Sequence, residues 1–142
     1  MKKRVLVGLV VIAVAIQLYP AGSHESQPGT GEIRAPSEVL AILRRSCYDC
    51  HSNETRWPWY SYVAPVSWLL AHHVGEARHH MDFSSWSDLQ PQDRQHLAKE
   101  IVEHVEKGVM PLPLYARMHS DARVSETELN VLRSWKDDLS GR

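Results

Sequence analysis

Two cysteines, Cys47 and Cys50, are all that this 142-residue chain contains. That scarcity excludes the multi-bridge disulfide framework with which small exported domains supplement a thin core. The chain also lacks a phosphate-cradling glycine loop, a Ser/His/Asp arrangement and a pair of catalytic carboxylates, so the chemistries built on those patterns have no residues here. No internal repeat is visible, and no segment alternates polar and apolar residues as a half-buried strand does. Charge of one sign is scarce as well. With Lys2, Lys3 and Arg4 set aside, 13 basic residues face 17 acidic ones, a net charge of −4 over residues 24–142. A mildly acidic surface excludes a nucleic-acid partner and offers no patch for an anionic membrane.

Long apolar runs are confined to the N-terminus, where Lys2, Lys3 and Arg4 precede Val5 to Ile16, extended by Leu18 and Tyr19. The run is shorter than the ~20 residues of a comfortable membrane span but suits the apolar region of an export signal. Residues 1–22 are therefore read as a signal peptide or a signal anchor, with Tyr19 to Ser23 only a fair cleavage region. Either way the basic end stays inside and the rest lies outside the cytoplasm, periplasmic or otherwise extracytoplasmic, soluble or tethered. Residues 20–36 hold three prolines, three glycines and two serines, which predicts a flexible linker over 23–36. One domain, residues 37–142, follows. Domains of that size often need a cofactor or a staple to complete the core.

What is present is concentrated at Cys47-Tyr48-Asp49-Cys50-His51. A C-x-x-C-H string offers two thiols to the vinyl groups of a haem and places an imidazole where it can reach the iron. A thioredoxin-like dithiol would use both cysteines but leave His51 idle, and its βαβ surroundings are missing. A zinc site would need a fourth ligand beyond Cys47, Cys50 and His51, which the spare histidines could supply.

The periodicity predicts an all-α domain of four to five helices. The first opens at Ser37 and carries Val39, Leu40, Ile42 and Leu43 toward Cys47. Residues 52–62 are dense in aromatics, and Pro58 between Trp57 and Trp59 makes them a loop. A second helix runs from Pro65 through Val66, Leu69, Leu70 and Val74 to about His80, and a third from Pro91 through Leu97, Ile101 and Val105 to a stop before Gly108. Pro111 and Pro113 make 109–120 irregular. Ser125 to Glu128 is a capping box for a last helix with Leu129, Leu132 and Trp135.

With His51 on one side of the iron, the opposite ligand sets the chemistry. Met110 is the candidate. The following Pro111 pushes it toward an extended conformation just after a helix ends, so its thioether can project instead of packing along a helix. The competing reading is core filling. Met81, Met118 and His119 are rivals from short connections; His72 and His73 lie on the second helix; His79, His80, His96 and His104 read as surface residues. Arg56, Trp57 and Trp59 could anchor haem propionates through a guanidinium and indole N–H groups, or simply pack at the ring edge.

The run Ser46 to Tyr60, then Ala64-Pro65-Val66-Ser67-Trp68, then Gly108-Val109-Met110-Pro111 with Tyr115 and His119, resembles the bacterial haem-binding-domain family related to cytochrome c. The resemblance covers about residues 33–139. It implies a small, exported, cytochrome c-like helical domain around one covalent haem c, often anchored by its N-terminus. Cys47 and Cys50 would be the thioether attachments, His51 the proximal iron ligand and Met110 the distal one. The family commonly shows two successive prolines after the methionine, whereas this chain reads Met110-Pro111-Leu112-Pro113, which bears on the path of that loop. Three functions compete: one-electron transfer with redox partner proteins, possibly membrane-bound; a haem enzyme or gas sensor whose sixth position is open or labile; and a non-haem metal-binding module on Cys47, Cys50 and His51.

Overall fold

The computed structural model describes residues 2–22, 29 and 31–141, and these form seven α-helices and three short 3₁₀ turns with no strand. Helix α1 (Lys2–Gln17) buries none of its residues. Among the described residues, no helix is long and apolar enough to cross a membrane. Helix α2 (Ser37–Ser46) is amphipathic and buries Val39, Ile42, Leu43 and Ser46, so the apolar spacing read from the sequence is the face that meets the core. Helix α4 (Val66–His80) follows Pro65, which caps it from outside the first turn.

Helix α5 (Pro91–Glu106) begins with proline at its first position, where a missing N–H costs nothing. It packs along α7 (Glu126–Ser140), the most extensive helix pair in the fold. At the start of α7 the Ser125 hydroxyl accepts from the Glu128 N–H while the Glu128 carboxylate accepts from the Ser125 N–H, satisfying two orphan donors at once. Arg45 reaches from α2 to the same carboxylate at 2.6 Å and to the Arg123 carbonyl at 3.2 Å. One glutamate therefore both starts α7 and ties it to α2.

The helices after α1 number six, not four to five. The two unanticipated ones are short: α3 (Tyr48–His51), which contains the motif itself, and α6 (Pro113–Met118). Residues 109–120 are thus not irregular throughout. Pro113 occupies the first turn of α6, where its fixed φ favours the helix. Residues 59–62 and 83–88 are 3₁₀ turns in segments read as connections.

The core is centred on α2, α5 and α7 with the 83–88 turn beneath them. Leu43, Phe83, Ala98 and Leu132 are fully buried there. The expected linker is only partly described, since residues 23–28 and 30 lie outside the described residues. The part that is described belongs to the packed unit: the Gly31 and Ile33 N–H groups donate to the Ser84 and Phe83 carbonyls, the Ser87 N–H donates to the Gly31 carbonyl, and Ile33 is buried.

Candidate functional site

Cys47 stands at the joint between two helices. Its N–H closes α2 on the Leu43 carbonyl at 2.8 Å, and its own carbonyl accepts from the N–H groups of Cys50 and His51 as α3 begins. The single turn of α3 would be unstable alone. An aromatic column fixes it: Tyr48 stacks on Phe83 with centroids 5.2 Å apart, Phe83 meets Trp86 at 5.8 Å, and Trp86 meets Trp135 at 6.0 Å. The edge of this column also touches His51, whose ring lies 6.3 Å from Phe83.

His51 is oriented by the end of α4. Its Nδ1 lies 3.1 Å from the Ala77 carbonyl and 3.1 Å from the Met81 carbonyl. Carbonyl oxygens only accept, so Nδ1 carries the hydrogen and Nε2 holds the free lone pair. Burial pushes the imidazole pKa down, keeping the ring neutral. A neutral imidazole with its second nitrogen tied to a carbonyl is the arrangement a metal-binding histidine requires.

The chain leaving α3 is pinned as firmly. The fully buried Ser52 hydroxyl donates to the Tyr48 carbonyl at 2.8 Å and accepts from the Glu54 N–H at 3.0 Å. From α4, Arg78 donates to the Ser52 carbonyl at 2.8 Å and to Thr55 Oγ1 at 2.7 Å. Arg78 stands beside His79 and His80, which read as surface residues, and its own partners in the fold could not be known from its place in the chain.

Burial pushes the Cys47 thiol up to about 12 and the Cys50 thiol up to about 11. A redox dithiol needs the opposite shift, because the thiolate is its nucleophile. Among the described residues, no group of three or more His, Cys, Asp or Glu side chains converges as a metal cage. The zinc reading therefore lacks its fourth donor.

Met110 is positioned from both sides. Gly108 adopts φ +65° after α5. The Gly108 N–H bonds to the Val105 carbonyl at 3.0 Å and the Val109 N–H to the His104 carbonyl at 3.1 Å. This Schellman pair ends the helix and turns the chain outward. Met110 is 36% exposed, so it does not fill the core. Met81, by contrast, is a core residue, and Met118 stands out on the surface.

The histidines divide similarly. His72, His79, His80 and His96 are exposed, and His80 and His96 approach Glu100 at 3.2 and 3.6 Å. His104 is half-buried with its Nδ1 on the Glu100 carbonyl at 2.8 Å, and His73 is half-buried on α4. His119 Nδ1 faces the Tyr115 carbonyl at 3.2 Å and must donate, which leaves Nε2 to accept from the Tyr60 hydroxyl at 3.3 Å. Neither nitrogen of His119 is spare.

Arg56, Trp57 and Trp59 have different surroundings. Arg56 is spent on Asp49, with its N–H and Nε both 3.2 Å from Oδ1. Trp59 is 78% exposed. Trp57 lines a cavity of about 460 Å³ against α4 together with Trp68, His72, Gly75 and Arg78. Residues 19–22 just after α1 line its other side, held there because Gln17 at the end of α1 exchanges two hydrogen bonds with the Ala64 backbone at 3.0 and 3.2 Å and Trp68 Nε1 donates to the Tyr19 carbonyl at 3.2 Å.

The residue missed from the sequence is Asp49, inside the motif. Its carboxylate is 15% exposed; Oδ1 takes the Arg56 N–H and Nε, and Oδ2 takes the Tyr115 hydroxyl at 2.6 Å together with an Arg56 guanidinium N–H at 3.4 Å. Burial first, and then that carboxylate, push the Tyr115 phenol well up, so it remains a donor. The available signal was the four-residue spacing of Tyr115 and His119 after Pro113, which places both on one helix face. Their rings stack at 4.2 Å.

These residues fit a haem. The donor set contains a neutral imidazole with a free Nε2, two thiols one turn apart, and a thioether on an outward loop. Beyond the N-terminal α1 stretch, exposed apolar side chains gather on two segments, Tyr62, Val63, Val66 and Leu69 at and just before the start of α4 and Val109, Met110, Leu112 and Leu114 after α5. Apolar surface left in water at that density marks a binding face. The stripe expected on α4 accordingly enters the protein core only at Val74, while Val66 and Leu69 stay exposed. No curated protein and no solved structure matches the chain. A family description does: the haem-binding domain matches residues 11–138, so the chain belongs to the haem-binding domain family, and haem with its iron is the cofactor that membership brings.

Proposed function

We propose that this protein is an exported c-type haem protein that carries single electrons. Cys47 and Cys50 hold the ring through thioether bonds, His51 Nε2 is the proximal iron ligand, and the Met110 sulfur is the distal one. The observation that carries this reading is the His51 tautomer, fixed by two carbonyls so that the lone pair is aimed away from them. Haem, when bound, supplies a ferric/ferrous couple whose potential follows its ligands and the polarity around it. The remaining work falls to the chain. The carbonyls of Ala77 and Met81 keep His51 neutral and oriented, the thioethers fix the ring against α3, and the Met110 sulfur favours the ferrous state. With His51 and Met110 both serving as ligands, the chain would leave no position on the metal for a substrate.

Export and a membrane-linked donor are supported by the basic, apolar α1, whose residues from Lys2 to Ala15 are all exposed. The test is a redox titration followed by absorption, on protein matured with haem outside the cytoplasm and on Met110→Ala. The expected result is a low-spin, sulfur-ligated spectrum that the variant loses, together with a fall in potential. A five-coordinate, high-spin iron in the unaltered protein at neutral pH, binding carbon monoxide at once, would assign it instead to ligand sensing or catalysis.

A further inference from the structure

We propose that Asp49 and Tyr115 are positioning residues: their hydrogen bond latches the Met110 loop across the haem motif and sets how readily the sixth iron position opens. This rests on the haem reading above. Helix α6 buries none of its residues, and Leu112, Leu114 and Met118 around it are exposed. Apolar burial therefore does little to hold it in place. Two polar links join it to the motif side of the fold, Tyr115 to Asp49 at 2.6 Å and His119 to Tyr60 at 3.3 Å.

The first link is the stronger. It is short, partly buried and made to a carboxylate, and hydrogen bonds to charged groups contribute roughly twice what neutral ones do. Its acceptor sits between Cys47 and Cys50, so the loop that carries the sulfur is tied to the same turn that carries the ring. Arg56 holds the acceptor in place by donating to both of its oxygens. The Tyr115–His119 stack sets the ring angle and hands the second link to Tyr60. On the upstream side the Schellman turn at Gly108 fixes the loop to α5. Residues 109–112 hang between these two anchors, and releasing the downstream one frees the sulfur to swing.

The experiment compares haem-loaded full-length protein with Tyr115→Phe, Asp49→Asn and Met110→Ala, reading amide exchange over residues 109–119 and the rate of carbon monoxide binding to ferrous protein. Tyr115→Phe keeps the ring stack and removes only the donor. It is expected to speed both exchange and carbon monoxide binding by on the order of tenfold, the equivalent of losing one charge-assisted bond. Asp49→Asn retains a neutral acceptor and is expected to fall between Tyr115→Phe and the unaltered protein. Exchange that quickens without any change in carbon monoxide binding would make the bond merely structural and overturn the proposal, as would no change in either. Met110→Ala separates the two ideas: if it binds carbon monoxide no faster than the unaltered protein, the sulfur assignment fails, while a response to Tyr115→Phe still upholds the latch as a gate to the iron.

Discussion

At the residue scale, the motif was legible because its chemistry is local. Two thiols and an imidazole at fixed spacing can be read without knowing the fold, and the structure adds the orientation of His51 that spacing could not supply. The turn that carries Met110 was legible for a related reason, since Gly108 ends α5 through its own backbone conformation. Asp49 was not, because its partners Arg56 and Tyr115 lie 7 and 66 positions away. Met81 distinguishes a core sulfur from an exposed one. Met81→Ala is expected to lower stability by about 2–5 kcal/mol through its cavity while leaving the sulfur-ligand spectrum intact. Denaturant titration paired with absorption checks this, and a lost sulfur signature in that variant would reverse the roles of the two methionines.

At the element scale, α2, α4, α5 and α7 were all legible, each from apolar spacing bounded by a serine or proline at the start and a glycine, proline or polar break at the end. The short α3 and α6 were not, because one or two turns hold too few residues to show a period. Ile33 sits in a proline- and glycine-rich stretch, and only its backbone pairing with Phe83 makes it part of the core. The joint between α2 and α7 makes a pH prediction. Hydrogen bonds from Arg45 and from the Ser125 backbone pull the Glu128 carboxyl down to about 2. A depressed carboxyl stabilises the fold above its ordinary pKa of about 4.5 and loses that contribution as pH falls toward its folded value. Glu128→Gln is thus expected to lower stability at pH 7 and to flatten the stability profile between about pH 4.5 and 2. Thermal melts across that window test it; parallel profiles for the two proteins would remove Glu128 from the acid response.

At the scale of the whole molecule, the helices divide into a core and a binding face. Helices α2, α5 and α7 bury their apolar residues against one another, and the aromatic column from Trp135 to Tyr48 delivers that rigidity to the haem motif. The start of α4 and the segment after α5 keep apolar side chains outside the core. A chain of this size that leaves so much apolar surface unburied gains by covering it with a large planar cofactor. The sequence foretold a helical domain that binds haem; the split between core and face could not be read from it, because α4 has the same apolar content whether its side chains are buried or exposed.

The most direct test of the central claim is the intact mass of denatured full-length protein matured with haem outside the cytoplasm. The expected mass is that of the polypeptide plus one haem, with the addition lost in a Cys47→Ser, Cys50→Ser double variant. A mass equal to the bare polypeptide, despite ample haem supply, would contradict the account.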